Sequence, residues 1–92
     1  MLVRSLYKAP KGLIRVELEI VDNIIKKAKI TGDFFMIPET ALQLLEARLL
    51  GVPRIEQNVT EAVANFYKSG VITPMLGQED LVRAIIGAQN GG

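Results

Sequence analysis

Few side chains in this sequence have the chemistry of an active site. The 92 residues include no histidine and no cysteine, so the commonest general base and the thiolate nucleophile are both missing. Disulfides and thiolate zinc sites are excluded for the same reason. Carboxylates, lysines and hydroxyls remain, and these groups usually lie on a solvated surface. The composition therefore argues against a free-standing enzyme.

The segment Thr31-Gly32-Asp33-Phe34-Phe35 follows neither a strand period nor a helix period. Gly32-Asp33 at a strand end indicates a turn, and two adjacent phenylalanines cannot both point into a core on one side. One interpretation is a strand-to-helix turn in which one ring is buried and the other packs under a loop. The other is a loop that presents Asp33 and one aromatic ring to a partner. The pattern alone leaves both interpretations open.

Two groups of charged residues are weaker candidates for a binding site. The first consists of Lys26, Lys27 and Lys29, and the second of Glu17 and Glu19 beside Arg15. Lys27 and Lys29 share one strand face, and Lys26 lies on the other. This alternation favours a solvated face over an anion-binding strip. In the second, the neighbouring arginine favours surface ion pairs. Neither group has metal-ligand spacing.

The charge balance argues against nucleic-acid and membrane partners. Eleven basic residues oppose ten acidic ones, a net charge of +1, whereas nucleic-acid-binding domains usually carry a basic excess. No apolar stretch approaches the roughly 18 residues of a membrane-spanning helix, and the start of the chain does not resemble a signal peptide. We therefore expect a soluble, cytoplasmic protein.

Hydropathy patterning predicts that the first third of the chain forms an antiparallel sheet. Apolar residues occupy every second position from Ile14 to Ile20, the period of a half-buried strand. Asp22-Asn23 predicts a hairpin turn because both residues tolerate positive φ. The return strand is expected to end at Ile30 with a bulge near Lys26-Lys27, where the alternation slips. Residues 2–7 are a candidate third strand.

The remainder of the chain predicts about three helices. They are expected from Pro38 to Leu49, from Asn58 to before Gly70, and from about Gln78 to Gly87. Glu61 three residues after Asn58 resembles a capping box, and the Gly91-Gly92 tail is expected to be loose. Strands followed by helices predict an α+β domain over residues 1–92, with a small antiparallel sheet and the helices packed on one face.

The stretch from Pro10 to Pro53 resembles a known family. Its pattern comprises Gly12-Leu13-Ile14-Arg15-Val16, a lysine-rich strand, Ile30-Thr31-Gly32-Asp33-Phe34-Phe35, a helix and Leu50-Gly51-Val52-Pro53. This pattern resembles the C-terminal accessory domain of lipoate–protein ligases, which in some archaea and bacteria is the separate small subunit of a two-part ligase. The Thr-Gly-Asp-Phe-Phe element is its most specific part. A chain that starts at Met1 and has accessory-domain length fits the separate subunit best.

The resemblance implies a non-catalytic accessory subunit that is required, with the large catalytic subunit, for ATP-dependent activation of lipoate to lipoyl-adenylate. ATP, Mg²⁺ and lipoate are expected in the large subunit, with no cofactor bound by this chain alone. Lipoyl domains or glycine-cleavage H protein are expected as indirect partners that receive the lipoyl group. The segment from Thr31 to Phe35, including Gly32, Asp33 and Phe34, then becomes the candidate partner interface. One phenylalanine is expected to be its apolar anchor, and Asp33 to fix the register.

A competing interpretation is a stand-alone protein-binding or scaffolding module with a different partner, self-associating through its sheet edge. A sulfur-transfer or Fe–S scaffold role requires a reactive cysteine, which this chain does not have.

Overall fold

Three antiparallel strands come first in the chain and three helices follow, which confirms the predicted α+β class. The computed structural model describes residues 1–10, 12–74 and 76–88, so the Gly91-Gly92 tail lies outside the described residues. The strands are β1 (Leu2–Ala9), β2 (Gly12–Val21) and β3 (Ile24–Asp33), and the helices are α1 (Ala41–Leu49), α2 (Glu56–Tyr67) and α3 (Gln78–Ile86). Within the described ranges, no helix is long and apolar enough to cross a membrane.

The sheet has the strand order β1-β2-β3, and both strand pairs are antiparallel. The predicted alternation in β2 is confirmed, because Ile14, Val16 and Leu18 are fully buried while Arg15 is exposed. The predicted turn at Asp22-Asn23 is confirmed too, with φ of 52° and 62°, as a tight two-residue hairpin turn requires. One face of the sheet therefore belongs to the core and the other carries charged side chains.

The predicted bulge in β3 is also confirmed. Ile20 pairs with Ile25 and Glu19 pairs with Lys27, which leaves Lys26 as the extra residue. This insertion shifts the alternation by one position. As a result Ile25 and Ile30 are both buried although five positions separate them.

Two helices begin at residues other than those predicted. Pro38 does not lie in the first turn of α1; it precedes Ala41, whose N–H donates to the Pro38 carbonyl at 3.0 Å. The chain is still extended at Ile37, which pairs with Ile72, so the helix starts only after the chain has turned.

The second helix, α2, begins at Glu56 and places Asn58 inside the helix, so the predicted capping pair of Asn58 and Glu61 is wrong. The extended residue Ile55 is its N-cap. An acidic Glu56 in the first turn is favourable beside the positive end of the helix dipole.

The three helices cover the apolar face of the sheet. The largest fully buried side chains from the helices are Leu45, Leu49, Phe66, Leu81 and Ile85, and those from the sheet are Ile14, Leu18, Ile25 and Ile30. Polar contacts add to this packing where α3 meets β1. The Ser5 hydroxyl donates to the Ala84 carbonyl at 2.6 Å, and the Tyr7 hydroxyl donates to the Asp80 carboxylate at 3.1 Å.

Arg54, in the link between α1 and α2, joins three parts of the fold. Its guanidinium donates to the carbonyls of Ile86 and Ala88 at 3.1 and 2.6 Å, at the end of α3 where carbonyl groups lack helical partners. Its backbone N–H donates to the Asn23 carbonyl at 2.8 Å. The hairpin turn, the α1–α2 link and the end of α3 are thus held together by one residue.

Candidate partner-binding surface

The five residues of the predicted interface lie at one end of the sheet. Thr31, Gly32 and Asp33 are the last residues of β3, which extends three residues beyond the predicted end at Ile30. The alternation of burial continues past the strand: Phe34 is half-buried and Met36 is buried, whereas Phe35 is exposed. The strand period therefore decides which of these side chains face solvent.

A close approach between strands makes Gly32 a special position. A Cβ atom added to Gly32 would overlap the backbone carbonyl oxygen of Leu13, and one added to Gly12 would lie 2.8 Å from the carbonyl oxygen of Asp33. Side chains at either position would push β2 and β3 apart. These two glycines therefore let β3 remain paired up to the residue that precedes the phenylalanines.

The two phenylalanines have different environments. Phe34 is partly buried and packs against the hydrophobic core. Phe35 has 79% of its surface exposed, more than any other large apolar residue of the described chain. Phe35 therefore does not pack under a loop, as the first interpretation of this segment expects, and the second interpretation stays a prediction.

A surface depression of about 350 Å³ lies beside Phe35. It is lined by Gly32, Phe34, Phe35, Met36, Ile37, Glu39 and Leu42. The exposed side chain of Ile37 continues the apolar surface, and Ile72 joins it because the two isoleucines pair in an isolated antiparallel bridge. We call the exposed side chains of Phe35, Ile37 and Ile72, with this depression, the Phe35 surface.

Sequence reasoning did not include Ile37 and Ile72 in the site. Ile72 lies between the predicted second and third helices, and its local sequence does not mark it as part of a site. An extended segment can pair with another one, but its partner lies 35 positions away in the chain, which no local pattern reveals.

Hydrogen bonds hold the connector between α2 and α3 beside the Phe35 surface. The hydroxyl groups of Tyr67 and Thr73 are 2.7 Å apart, and the Thr73 hydroxyl donates to the Leu76 carbonyl at 2.9 Å. At the end of the connector, the Gly77 N–H donates to the Asp80 carboxylate at 2.9 Å. These bonds keep the backbone around Ile72 in place.

The half-buried side chain of Tyr67 has a raised pKa in this environment. Burial raises the pKa of Tyr67, the hydrogen bond with Thr73 lowers it, and the charge of Asp80 raises it again, with a net upward shift. The group therefore stays neutral where an ordinary tyrosine ionises. It acts as a structural hydrogen-bonding group of the connector.

The charged candidates lie on the outer face of the sheet, away from the helices. Lys26, Lys27 and Lys29 are all exposed, as predicted for a solvated face, and Glu17 and Glu19 stand opposite Lys29 and Lys27 on the neighbouring strand.

Among the described residues, neither glutamate forms an ion pair with Arg15. Glu19 pairs instead with the amino group of Met1 at 3.2 Å. Successive residues on one strand face are about 7 Å apart, so the neighbouring strand offers the nearer partner.

The Phe35 surface is mainly apolar. In residues 1–10, 12–74 and 76–88, no three acidic side chains are gathered as metal binding requires. The depression is lined mainly by apolar side chains, with Glu39 as its charged member. Such an arrangement can receive an apolar side chain of a partner, with Phe35 inserted in return.

Comparison with known proteins supports the resemblance seen in the sequence. The family "Bacterial lipoate protein ligase C-terminus" matches residues 3–85. Lipoate-protein ligase A subunit 2 from Thermoplasma acidophilum is 44% identical over 85 residues, which cover 92% of this chain and 88% of that protein.

A solved structure from Thermoplasma acidophilum, described as a bi-partite lipoate protein ligase and its E2 lipoyl domain, contains a chain of the same fold. That chain is 41% identical, with a TM-score of 0.86, and the match covers 92% of this chain and 94% of that one. The family match includes all five residues of the predicted interface. This chain therefore belongs to the bacterial lipoate protein ligase C-terminus family.

Proposed function

We propose that this chain is the non-catalytic accessory subunit of a two-part lipoate–protein ligase and that it binds the large catalytic subunit through the Phe35 surface. The similar protein from Thermoplasma acidophilum is named subunit 2 of such a ligase, and the similar structure is described as bi-partite. The observation that carries the proposal is the exposure of Phe35 beside an apolar depression. Exposed aromatic side chains next to pockets are typical anchors of protein interfaces.

Asp33 and Phe35 have complementary roles in this proposal. Both side chains are exposed, and they lie two positions apart on a segment that alternates between core and solvent. The Asp33 carboxylate accepts a charged hydrogen bond that fixes the orientation of the partner. Phe35 supplies the buried apolar area.

Docking of this domain assists the chemistry of the large subunit by physical means. Activation of lipoate with ATP produces a mixed anhydride that water can hydrolyse. A domain docked beside the reaction site orders the loops of the large subunit and excludes water. ATP, Mg²⁺ and lipoate bind on the large subunit, and the described part of this chain gathers no acidic cluster for the metal ion. Lipoyl domains or glycine-cleavage H protein then receive the lipoyl group from the complex.

The direct test is lipoyl-adenylate formation by the purified large subunit, followed through pyrophosphate release, with and without this chain. We expect release of pyrophosphate only when both chains are present, together with a stable complex in size-exclusion chromatography. Full activity of the large subunit alone, or failure of the two chains to associate, would contradict the proposal. A stand-alone binding module with another partner would then be the better interpretation.

A further inference from the structure

The edge of the sheet formed by β3 is closed. The Ile25 N–H donates to the Val52 carbonyl at 3.0 Å, and the Ile25 carbonyl accepts from the Gly51 N–H at 2.8 Å. Further along the strand, the Ile30 N–H donates to the Glu46 carboxylate at 2.7 Å. The bulge in β3 also interrupts this edge, so the edge offers no continuous row of free backbone groups to another strand.

The opposite edge, formed by β1, is open. Met1 and Ile20 exchange two backbone hydrogen bonds of 2.8 and 2.7 Å, and bonded and non-bonded positions alternate along an antiparallel pair. The odd-numbered residues of β1 therefore bond to β2. The N–H and C=O groups that point away from the sheet belong to Leu2, Arg4, Leu6 and Lys8. In the described part of the chain none of these groups has a hydrogen-bond partner.

The backbone of β1 has none of the features that usually protect an edge strand from pairing with another strand. β1 has eight residues, its register with β2 is unbroken, and its sequence contains neither proline nor glycine. Natural edges are more often short, bulged or covered. The long uninterrupted edge of β1 is therefore suited to pair with an added strand.

The charges of β1 indicate what kind of strand it accepts. Arg4 and Lys8 are its charged residues, and β1 itself contains no acidic residue. On β2, Glu17 lies opposite Arg4 and Leu13 lies opposite Lys8. Leu2 and Leu6 alternate with the two basic residues and are 43% and 62% exposed. Pairing with a second copy of β1 would bring like charges close together, which is unfavourable. A strand with acidic side chains would be complementary.

We propose that the open edge of β1 binds an extended acidic segment of a partner protein, which adds a fourth strand to the sheet. The outward backbone groups of Leu2, Arg4, Leu6 and Lys8 supply the hydrogen bonds, as in other cases of strand addition. Arg4 and Lys8 select acidic side chains on the added strand, and the exposed leucines contact its apolar ones. Because β1 and β3 form opposite edges, this inference does not depend on the function proposed for the Phe35 surface.

The test measures amide hydrogen exchange of the full chain by NMR with two synthetic eight-residue peptides at millimolar concentration. One peptide repeats the unit Glu-Thr-Val-Thr, so that glutamate and valine alternate along one strand face, and the control peptide has lysine in place of glutamate. The glutamate peptide is expected to slow exchange at Leu2, Arg4, Leu6 and Lys8 by about tenfold or more, equivalent to about 1.4 kcal/mol. The control peptide is expected to have no effect. Amides of the odd-numbered residues, already bonded to β2, should change little.

The double variant Arg4→Glu/Lys8→Glu keeps the backbone edge and reverses its charge. It is expected to reverse the preference between the two peptides, whereas Phe35→Ala should leave peptide binding unchanged. Equal protection by both peptides would overturn the charge selectivity. Absence of protection, protection confined to the Phe35 surface, or dimerisation of the chain through β1 would overturn the proposal itself.

Discussion

Ile37 and Ile72 exchange two backbone hydrogen bonds, 2.8 and 3.0 Å long, across an isolated antiparallel bridge. The bridge joins the segment after β3 to the connector between α2 and α3. Phe35 lies between the end of β3 at Asp33 and this bridge, so its backbone is held on both sides while its ring is exposed. A side chain on a fixed backbone loses less conformational entropy when it is buried by a partner. This relationship makes Phe35 a suitable anchor.

Phe35→Ala should weaken binding without weakening the fold. The ring is 79% exposed, so the free energy of unfolding should change by less than about 0.5 kcal/mol. Loss of an anchor worth about 2 kcal/mol raises the Kd for the large subunit about thirtyfold. Isothermal titration calorimetry would measure the Kd, and pyrophosphate release would report the matching loss of activation.

Leu50→Ala is the matched control for this variant. Leu50 is another exposed apolar residue, with 50% of its surface exposed, but it follows α1, whose last residue is Leu49, near the opposite end of the sheet. Two outcomes would show that the Phe35 surface is not the interface. One is an equal Kd for the wild-type chain and Phe35→Ala, and the other is an equal loss of affinity for the large subunit in Phe35→Ala and Leu50→Ala.

Gly32→Ala should destabilise the fold because an added Cβ overlaps the Leu13 carbonyl oxygen. We expect the free energy of unfolding to fall by about 3 kcal/mol, the upper range for overpacking. Gly70→Ala is the control, since Gly70 has φ of 94° but open space around it, and the cost of that backbone conformation is about 1 kcal/mol. Urea denaturation of both variants measures the difference. A smaller loss in Gly32→Ala than in Gly70→Ala would contradict the close approach of the two strands.

Stability at alkaline pH should depend on Tyr67. Burial raises the pKa of Tyr67 in the folded chain, as does Asp80, while Thr73 opposes the shift. The folded state therefore retains a proton that the unfolded state loses from a pH of about 10. The stability that the protonated hydroxyl of Tyr67 contributes is complete below that pH and is lost as the pH rises through the raised pKa of the folded state. Tyr67→Phe should thus show a shallower decline of the free energy of unfolding above pH 10 or so. Parallel pH profiles for the two chains in urea titrations would exclude this role.

Arg54→Met should reduce stability because it removes the hydrogen bonds from the guanidinium to Ile86 and Ala88. Methionine retains much of the apolar stem. We therefore expect the free energy of unfolding to fall by about 2 kcal/mol because the charged hydrogen bonds are lost. Arg48→Met, on the exposed surface of α1, serves as control and should change stability by less than about 0.5 kcal/mol. Thermal unfolding followed by circular dichroism provides the comparison. Indistinguishable midpoints for the two variants would show that Arg54 does not secure the end of α3.

Local patterns were sufficient for most of the sheet. The alternation from Ile14 to Ile20, the turn at Asp22-Asn23 and the bulge near Lys26 each leave a signal within a few residues, because side-chain direction alternates along a strand. The end of β3 was placed too early, at Ile30. Its last three residues pair with β2 only because Gly12 and Gly32 permit close contact, and a sequence pattern does not show such pairing.

The candidate surface, too, was predicted only in part from the sequence. Two adjacent phenylalanines imply, from the sequence alone, that one ring lies outside the core, and the Thr-Gly-Asp-Phe-Phe element indicated the family. The tertiary structure decided that the outer ring is Phe35 and that Ile37 and Ile72 complete its surroundings. It also decided which edge of the sheet is closed, through contacts such as that between Ile30 and Glu46. Contacts between residues far apart in the chain depend on how the elements pack, and packing leaves no periodic signal in the local sequence.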